Sequence, residues 1–459
     1  ERASDLGDGA LSTADQATYA RALLQLGRPH DALDYTKTAM IDPDPEVRVQ
    51  AQLLAGRAHR VLGDSEQAVR LWTAALATAE VADLPEKKAK ALLRLGMADY
   101  LEGRIAAAAD RFAAAYQVSV EAGASANQAW ALQHLGWVNT TRGDFATADA
   151  LLTRSARLFA ELDDPVGRAW IRGTTAFARL LGGRLTEARK LAMTFLPFGE
   201  RIGEHWAVGT LRSVGAFAAC ELGDVAEADR EAGRAFREFA DFDDDWGRGL
   251  ALVVRGLVAR NLAQLPHALD ILAEAKVFST RSGHPLLIGM ARTARGFVHL
   301  ELGDFMAAEE DASETLALMP TYDARDAARV GPSVLLAMAR HAQGDLGMAL
   351  GSLAEVAAHR DGPSLLLSRA RAVACYAELL LADGQVEEAL AQARWAAAHP
   401  SEDLRTRIYI VRVLAVALEA SGAREEARKA AQSAVELAYS SEQVADRAAS
   451  DILLASLSG

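Results

Sequence analysis

Leu302-Gly303-Asp304-Phe305-Met306-Ala307-Ala308 is a phrase that this chain repeats. It returns as Leu222-Gly223-Asp224-Val225-Ala226-Glu227-Ala228 and as Arg142-Gly143-Asp144-Phe145-Ala146-Thr147-Ala148. Aligning on its glycine marks Gly27, Gly63, Gly103, Gly143, Gly183, Gly223, Ala263, Gly303, Gly344, Gly384 and Gly422. The steps between them are 36, 40, 40, 40, 40, 40, 40, 41, 40 and 38 residues. Alanine stands five residues after every mark, and only Gly or Ala stands seven residues before it. A register kept this long defines a repeat protein, built by stacking similar units.

Each period reads as helix, tight turn, helix, loop. In the fourth, Asn127 to Thr141 carries apolar residues at helical spacing (Ala131, Leu135, Val138), and Gly143 supplies a turn where positive φ costs little. Asp144 follows as an N-cap for a second helix through Phe145, Ala148, Leu151, Leu152 and Phe159. Loops such as Glu161-Leu162-Asp163-Asp164-Pro165, with further breaks at Met319-Pro320 and His399-Pro400, separate the units. The small residue before each turn and the alanine after it are placed to meet where the paired helices cross, and a larger side chain would wedge that crossing open. The seventh unit has Ala263 in place of glycine, so its turn is expected to close in another geometry.

Composition agrees with an all-α solenoid. The 459 residues are 51% hydrophobic and 24% charged with 12 Pro, which argues against widespread disorder. A net charge of −13 argues against a broad nucleic-acid-binding surface. Cys220 and Cys375 lie about four units apart, so no disulfide is expected, and without a cysteine framework the chain reads as cytoplasmic. No apolar run approaches the ~18 residues of a membrane span. An opening on Glu1 rather than Met reads as a piece of a longer chain. Residues 1–13 form a polar linker or frayed lead-in, 14–450 the repeat array and 451–459 a C-terminal tail.

A small residue, Gly seven later, Ala five after that, and in most units a further small residue seven beyond (Ala39, Ala75, Ala115, Ala235, Ala275, Ala396, Ala434) together resemble the tetratricopeptide repeat. The longer period implies helices extended by about one turn. Units of this length are similar to the sensor regions of large bacterial transcription regulators, the STAND-type ATPases with LuxR-like DNA-binding domains. They also resemble kinesin light chain repeats and the peptide-sensing regulators of Gram-positive bacteria. The resemblance implies eleven hairpins in a right-handed superhelix with a ligand-binding concave groove. It departs from the family early in the first helices, where Arg172, Arg212 and Arg292 stand in place of a large aromatic.

Chemistry-bearing motifs are missing. There is no Gly-x-x-x-x-Gly-Lys-Ser/Thr loop, no His-Glu-x-x-His pair and no Gly-x-Ser-x-Gly, so neither catalysis nor a metal or cofactor is expected. The acidic cluster Asp241, Asp243, Asp244 and Asp245 lacks calcium-loop spacing and reads as a solvated loop.

Two rows on the first helices carry the binding expectation. One position after the small residue, units three to nine present Met97, Trp137, Phe177, Phe217, Leu257, Phe297 and Met338. In the family this position borders the groove, and Trp130, Gln133, His134 and Trp170 match other groove positions. The alternative row is Arg172, Arg212, Arg255, Arg292 and Arg295, with Arg179 and His299, facing the groove or paired with acidic residues between units. The two rows lie nearly opposite on a helical wheel, and the sequence leaves open which faces inward. The expected function is a non-catalytic binding module, the sensor region of a larger bacterial transcription or signalling regulator, or alternatively a freestanding adaptor. Its partner is a protein, a peptide or a small-molecule effector in the groove.

Overall fold

Every repeat mark coincides with a backbone reversal. In the computed structural model, φ is positive at all eleven, from +57° at Ala263 to +97° at Gly223. The structure describes residues 11–318, 325–399 and 401–457, and among them all regular secondary structure is helical. Residues 1–10 of the polar lead-in, the break at Met319-Pro320 and Pro400 lie outside the described residues.

The hairpins run Thr13–Gln25/Pro29–Thr36, Pro45–Val61/Ser65–Val81, Pro85–Leu101/Ile105–Glu121 and Ser125–Thr141/Phe145–Glu161. They continue as Pro165–Leu181/Leu185–Ile202, His205–Leu222/Val225–Ala240, Asp245–Asn261/Leu265–Ser282 and Pro285–Leu302/Phe305–Leu318. The last three are Val330–Ala342/Leu346–Ala358, Arg369–Ala382/Val386–Ala398 and Leu404–Ala420/Arg424–Tyr439. We number them hairpins 1 to 11. Part of the segment read as a tail is ordered, since a closing helix spans Arg447–Ser456. The described residues divide into two compact units, residues 1–135 with 157–163 and residues 136–156 with 164–459.

Local chemistry explains the hairpin. In hairpin 6 the Gly223 N–H donates to the Cys220 carbonyl (3.2 Å) and the Asp224 N–H to the Ala219 carbonyl (2.8 Å), which satisfies two of the carbonyls that a helix end leaves open. The expectation for Ala263 is corrected. Its N–H donates to Arg260 (3.0 Å) and the Gln264 N–H to Ala259 (2.9 Å), so the turn is the same. Alanine is simply held in the left-handed region at φ +57°, where a Cβ costs about 1 kcal/mol or more. Asp144 caps the next helix by accepting from the Thr147 N–H at 3.1 Å, and hydrogen bonding from the Thr147 side chain, then its N–H, holds its carboxyl below the usual range.

The helix crossing is filled by a residue four beyond the conserved alanine. A Cβ built on Gly56 would lie 2.3 Å from Trp72, on Gly96 2.6 Å from Phe112, on Gly136 2.7 Å from Leu152 and on Gly256 2.4 Å from Leu272. The partner is sixteen residues downstream each time. Where the small residue is alanine instead, at Ala176, Ala216, Ala377 and Ala415, the partner position shrinks to Ala192, Ala232, Ala393 and Ala431. The pairing is not uniform: Ala337 has Leu353 sixteen residues on, and Gly296 has Ala312, with Leu335 of the next hairpin 2.4 Å from a Cβ built on Gly296.

Candidate functional site

The larger unit coils back on itself. The loop after hairpin 9 reaches back: the Leu365 N–H donates to the Ala327 carbonyl (3.1 Å) in the short helix Arg325–Ala328 that leads into hairpin 9, and the Leu366 N–H to the Leu181 carbonyl (2.9 Å) at the turn of hairpin 5. One period later Glu402 accepts from the Thr186 N–H (2.6 Å), and a further period on Glu442 accepts from the Ala226 N–H (2.9 Å). Both acceptors sit 216 residues from their donors, so the closing loops keep the repeat register. Each of these N–H groups belongs to the first turn of a helix, Leu185–Ile202 or Val225–Ala240, where a carboxylate completes an open donor and meets the positive dipole end. The Val444 N–H donates to the Asn261 carbonyl (3.1 Å) and finishes the seam.

Closure leaves a cavity of about 170 Å³ inside the unit. The first helices of hairpins 5 to 8 supply one wall at helical spacing: Leu180, then Phe217 and Glu221, then Val253, Leu257 and Arg260, then Met290, Thr293 and Phe297. The opposite wall is Leu365, Leu366 and Leu367 with Arg371, Asp403 and Arg405. Leu366 holds φ +63°, a left-handed conformation rare for leucine.

One end of this space is charged. Arg260 meets Glu301 at 2.6 Å, and Arg405 bridges Glu301 (3.0 Å) and Asp446 (2.9 Å). Burial pulls the Arg260 guanidinium down, helped by Arg405. For Arg405 burial acts the same way but is outweighed by Asp446 and Glu301, which raise it. Burial would raise Glu301, yet the two arginines hold it below the ordinary carboxylate range. Glu221 is pushed well up by burial and by facing Asp403. Arg371 differs from the other two arginines. Its guanidinium lies 3.4 Å from the Tyr409 ring centroid, and among the described residues it forms no ion pair.

The sequence-selected aromatics fall in separate places. Trp130, Gln133 and His134 belong to the smaller unit, where His134 packs 4.9 Å from Phe112 and Trp130 5.0 Å from Phe159. Burial, with Arg94 nearby, lowers the His134 pKa to about 3, so the ring is neutral. In the larger unit Trp137 stacks on Phe177 at 5.2 Å and Trp170 on Trp206 at 3.8 Å. Trp246 joins the two pairs, 6.0 Å from Phe177 and 6.1 Å from Trp206. Trp206 and Trp246 stand at matching positions one period apart, a signal in the sequence that the groove reading passed over. Phe177 is buried within the core; of the apolar row, Phe217, Leu257 and Phe297 line the cavity, while Trp130, Gln133, His134, Trp137 and Trp170 do not.

The arginine row is paired across helices. Arg179 meets Asp149 and Glu187, and Arg212 meets Glu200 and Glu231. Arg292 meets Glu314 (3.1 Å), Arg295 meets Asp311 (2.5 Å), and Arg255 approaches Asp229 at 3.7 Å. Arg172 lies 4.4 Å over the Phe195 ring. The acidic loop is likewise engaged: Asp244 caps a helix through the Gly247 N–H (3.1 Å), and Asp243 and Asp245 pair with Arg248. Cys220 and Cys375 are free and buried. Among the described residues no helix is long and apolar enough to cross a membrane, and no group of three His, Cys, Asp or Glu could hold a metal.

No family model and no curated protein matches the chain. Solved structures do. The chain is similar to that of the APC/C hetero-tetramer Cut9-Hcn1 at 13% identity, over 97% of this chain and 84% of that one, with a TM-score of 0.58. It is also similar to a Rap protein complexed with competence and sporulation factor, at 12% identity over 75% and 98%, with a TM-score of 0.50. The fold is a tetratricopeptide-type solenoid. In hairpins 2 to 8 the period is filled by helices of 14 to 18 residues, while hairpins 9 and 10 keep it with helices of 13 or 14 residues.

Proposed function

We propose that the chain is a non-catalytic ligand-binding module, the sensor region of a larger cytoplasmic bacterial transcription or signalling regulator of the STAND/LuxR kind, and that its effector is a small molecule held inside the larger unit. One observation carries this reading: a single stripe of first-helix side chains is closed over by the chain's own loops into an apolar cavity with charged groups at one end, the build of a small-ligand site. An effector there would touch hairpins 5 to 8 and the loops of hairpins 9 to 11 together. It would therefore bias the closure between them, and a bias of that kind is how a binding event reaches an attached domain. The arginine row, paired within hairpins at Arg292 and Arg295 and to the preceding hairpin at Arg179, Arg212 and Arg255, serves in this reading to hold the stack in register.

Native mass spectrometry of the protein purified from its own cells tests the proposal. A bound small molecule that is lost from Ala294→Trp, which fills the cavity, is the expected result. Retention of the same adduct by a folded Ala294→Trp protein would place the ligand elsewhere. The freestanding adaptor is the second reading, supported by the half-buried Trp170, Trp206 and Trp246 ladder, which offers flat aromatic surface to a peptide. A reading frame without ATPase or DNA-binding segments would favour it.

A further inference from the structure

Three arginines line the cavity, and only two of them are neutralised by carboxylates. Arg260 and Arg405 share Glu301, and Arg405 also has Asp446. Arg371 faces the same space from the start of the helix Arg369–Ala382, half-buried, with the Tyr409 ring beneath it and no ion pair among the described residues. Tyr409 is itself buried and donates its hydroxyl to Glu378, which fixes the ring as a platform. A guanidinium resting on an aromatic face keeps its edge N–H donors directed outward, since the ring engages only its plane. Those donors match a carboxylate in fork geometry.

The rest of the cavity limits what can carry that carboxylate. Its walls beside Arg371 are Phe217, Val253, Leu257, Met290, Phe297 and Leu366. A volume of about 170 Å³ is slightly more than the ~150 Å³ cavity that takes benzene, so the body is a short acyl chain or a single ring. A phosphate dianion would need more than one free cation to offset its desolvation, and Arg371 stands alone in that role. An amine at Glu221 and Asp403 would meet Arg260 and Arg405, whose guanidinium charges already act on Glu221 and line the same space.

We propose that the effector is a small amphipathic monocarboxylate, its carboxylate seated on Arg371 and its apolar body among the six side chains above. This rests on the small-molecule reading of the cavity, and the test separates the two. Isothermal titration calorimetry of the full chain is run with octanoate, octanol and octylamine at equal concentration, on wild type, Arg371→Met and Arg371→Lys. Octanoate should bind at least tenfold more tightly than octanol. Arg371→Met should remove that tenfold and leave octanol unchanged, with Arg371→Lys between the two because it keeps charge without the fork. Equal binding of octanoate and octanol to wild type, or tighter binding of octylamine, overturns the carboxylate proposal while the cavity reading survives. Binding of none of the three overturns both. Should Arg371→Met fail to fold by circular dichroism, the wild-type comparison of octanoate with octanol still decides.

Discussion

Glu402 and Glu442 make the closure of the larger unit experimentally accessible. Each accepts one backbone N–H in the first turn of a helix that lies 216 residues earlier, at 2.6 Å and 2.9 Å. Both bonds are solvent-exposed, so each is worth an ordinary N-terminal cap with its dipole contribution, about 0.5–1 kcal/mol. The double variant Glu402→Ala/Glu442→Ala should therefore weaken closure by about 1–2 kcal/mol, a shift of roughly 5- to 30-fold in the opening equilibrium. Hydrogen exchange reads it directly through two amides on the seam, Leu366 bonded to Leu181 and Val444 bonded to Asn261. Their exchange should quicken by that factor, while core amides of the helix Asp245–Asn261 keep their protection. Each single variant should give about half the free-energy effect. Unchanged exchange at Leu366 and Val444 would refute the idea that these carboxylates hold the coil shut. A uniform loosening of the whole unit would assign them to helix stability instead.

The remaining predictions concern packing and protonation. Gly136→Leu places side-chain atoms where Leu152 already stands, 2.7 Å from a Cβ, and should lower stability by about 1–3 kcal/mol in a denaturant melt. Ala263→Gly relieves a left-handed alanine and, after the entropy of glycine is set against it, should raise stability by about 0.5–1 kcal/mol. His134 stays neutral in the fold down to a pKa of about 3, against 6.5 when free. Below pH 6.5 the unfolded chain takes up a proton that the folded chain refuses, so stability falls as pH drops from 6.5 toward 3. His134→Gln should flatten that fall by up to roughly 2 kcal/mol at pH 5, read as melting temperature against pH.

The hairpins were legible because the constraints that make them are local. A residue in the left-handed region, a cap on the next helix and a small residue at the helix crossing all recur within one period. Their chemistry is complete within that span. Ala263 shows the limit of such reading: composition at one position suggested a different turn, but the hydrogen bonds to Arg260 and Ala259 and the packing of the flanking helices impose the common geometry on an unfavourable residue. Strain of that size is small against what two paired helices contribute by burial.

The cavity was not legible, for a reason that lies in how a solenoid closes. In a stack where each hairpin touches its neighbours, the first helices of hairpins 5 to 8 announce an apolar stripe, and Phe217, Leu257 and Phe297 were found on it. What covers the stripe comes from Leu365–Leu367, Arg371 and Asp403–Arg405, which sit between 68 and 225 residues away from the wall they face. No period relates Leu366 to Leu181, and Arg371 looks in sequence like any surface arginine. The arginine row illustrates the converse. Arg212 and Arg295 are conspicuous on the wheel, yet Glu231 and Asp311 on the paired helices satisfy them within their own hairpins. A charged residue becomes a candidate for ligand binding through what fails to pair with it once the chain has closed, and closure depends on the summed curvature of every hairpin between the two walls. That dependence also makes the site responsive, because any change in curvature along the intervening hairpins alters how Arg371 meets the stripe.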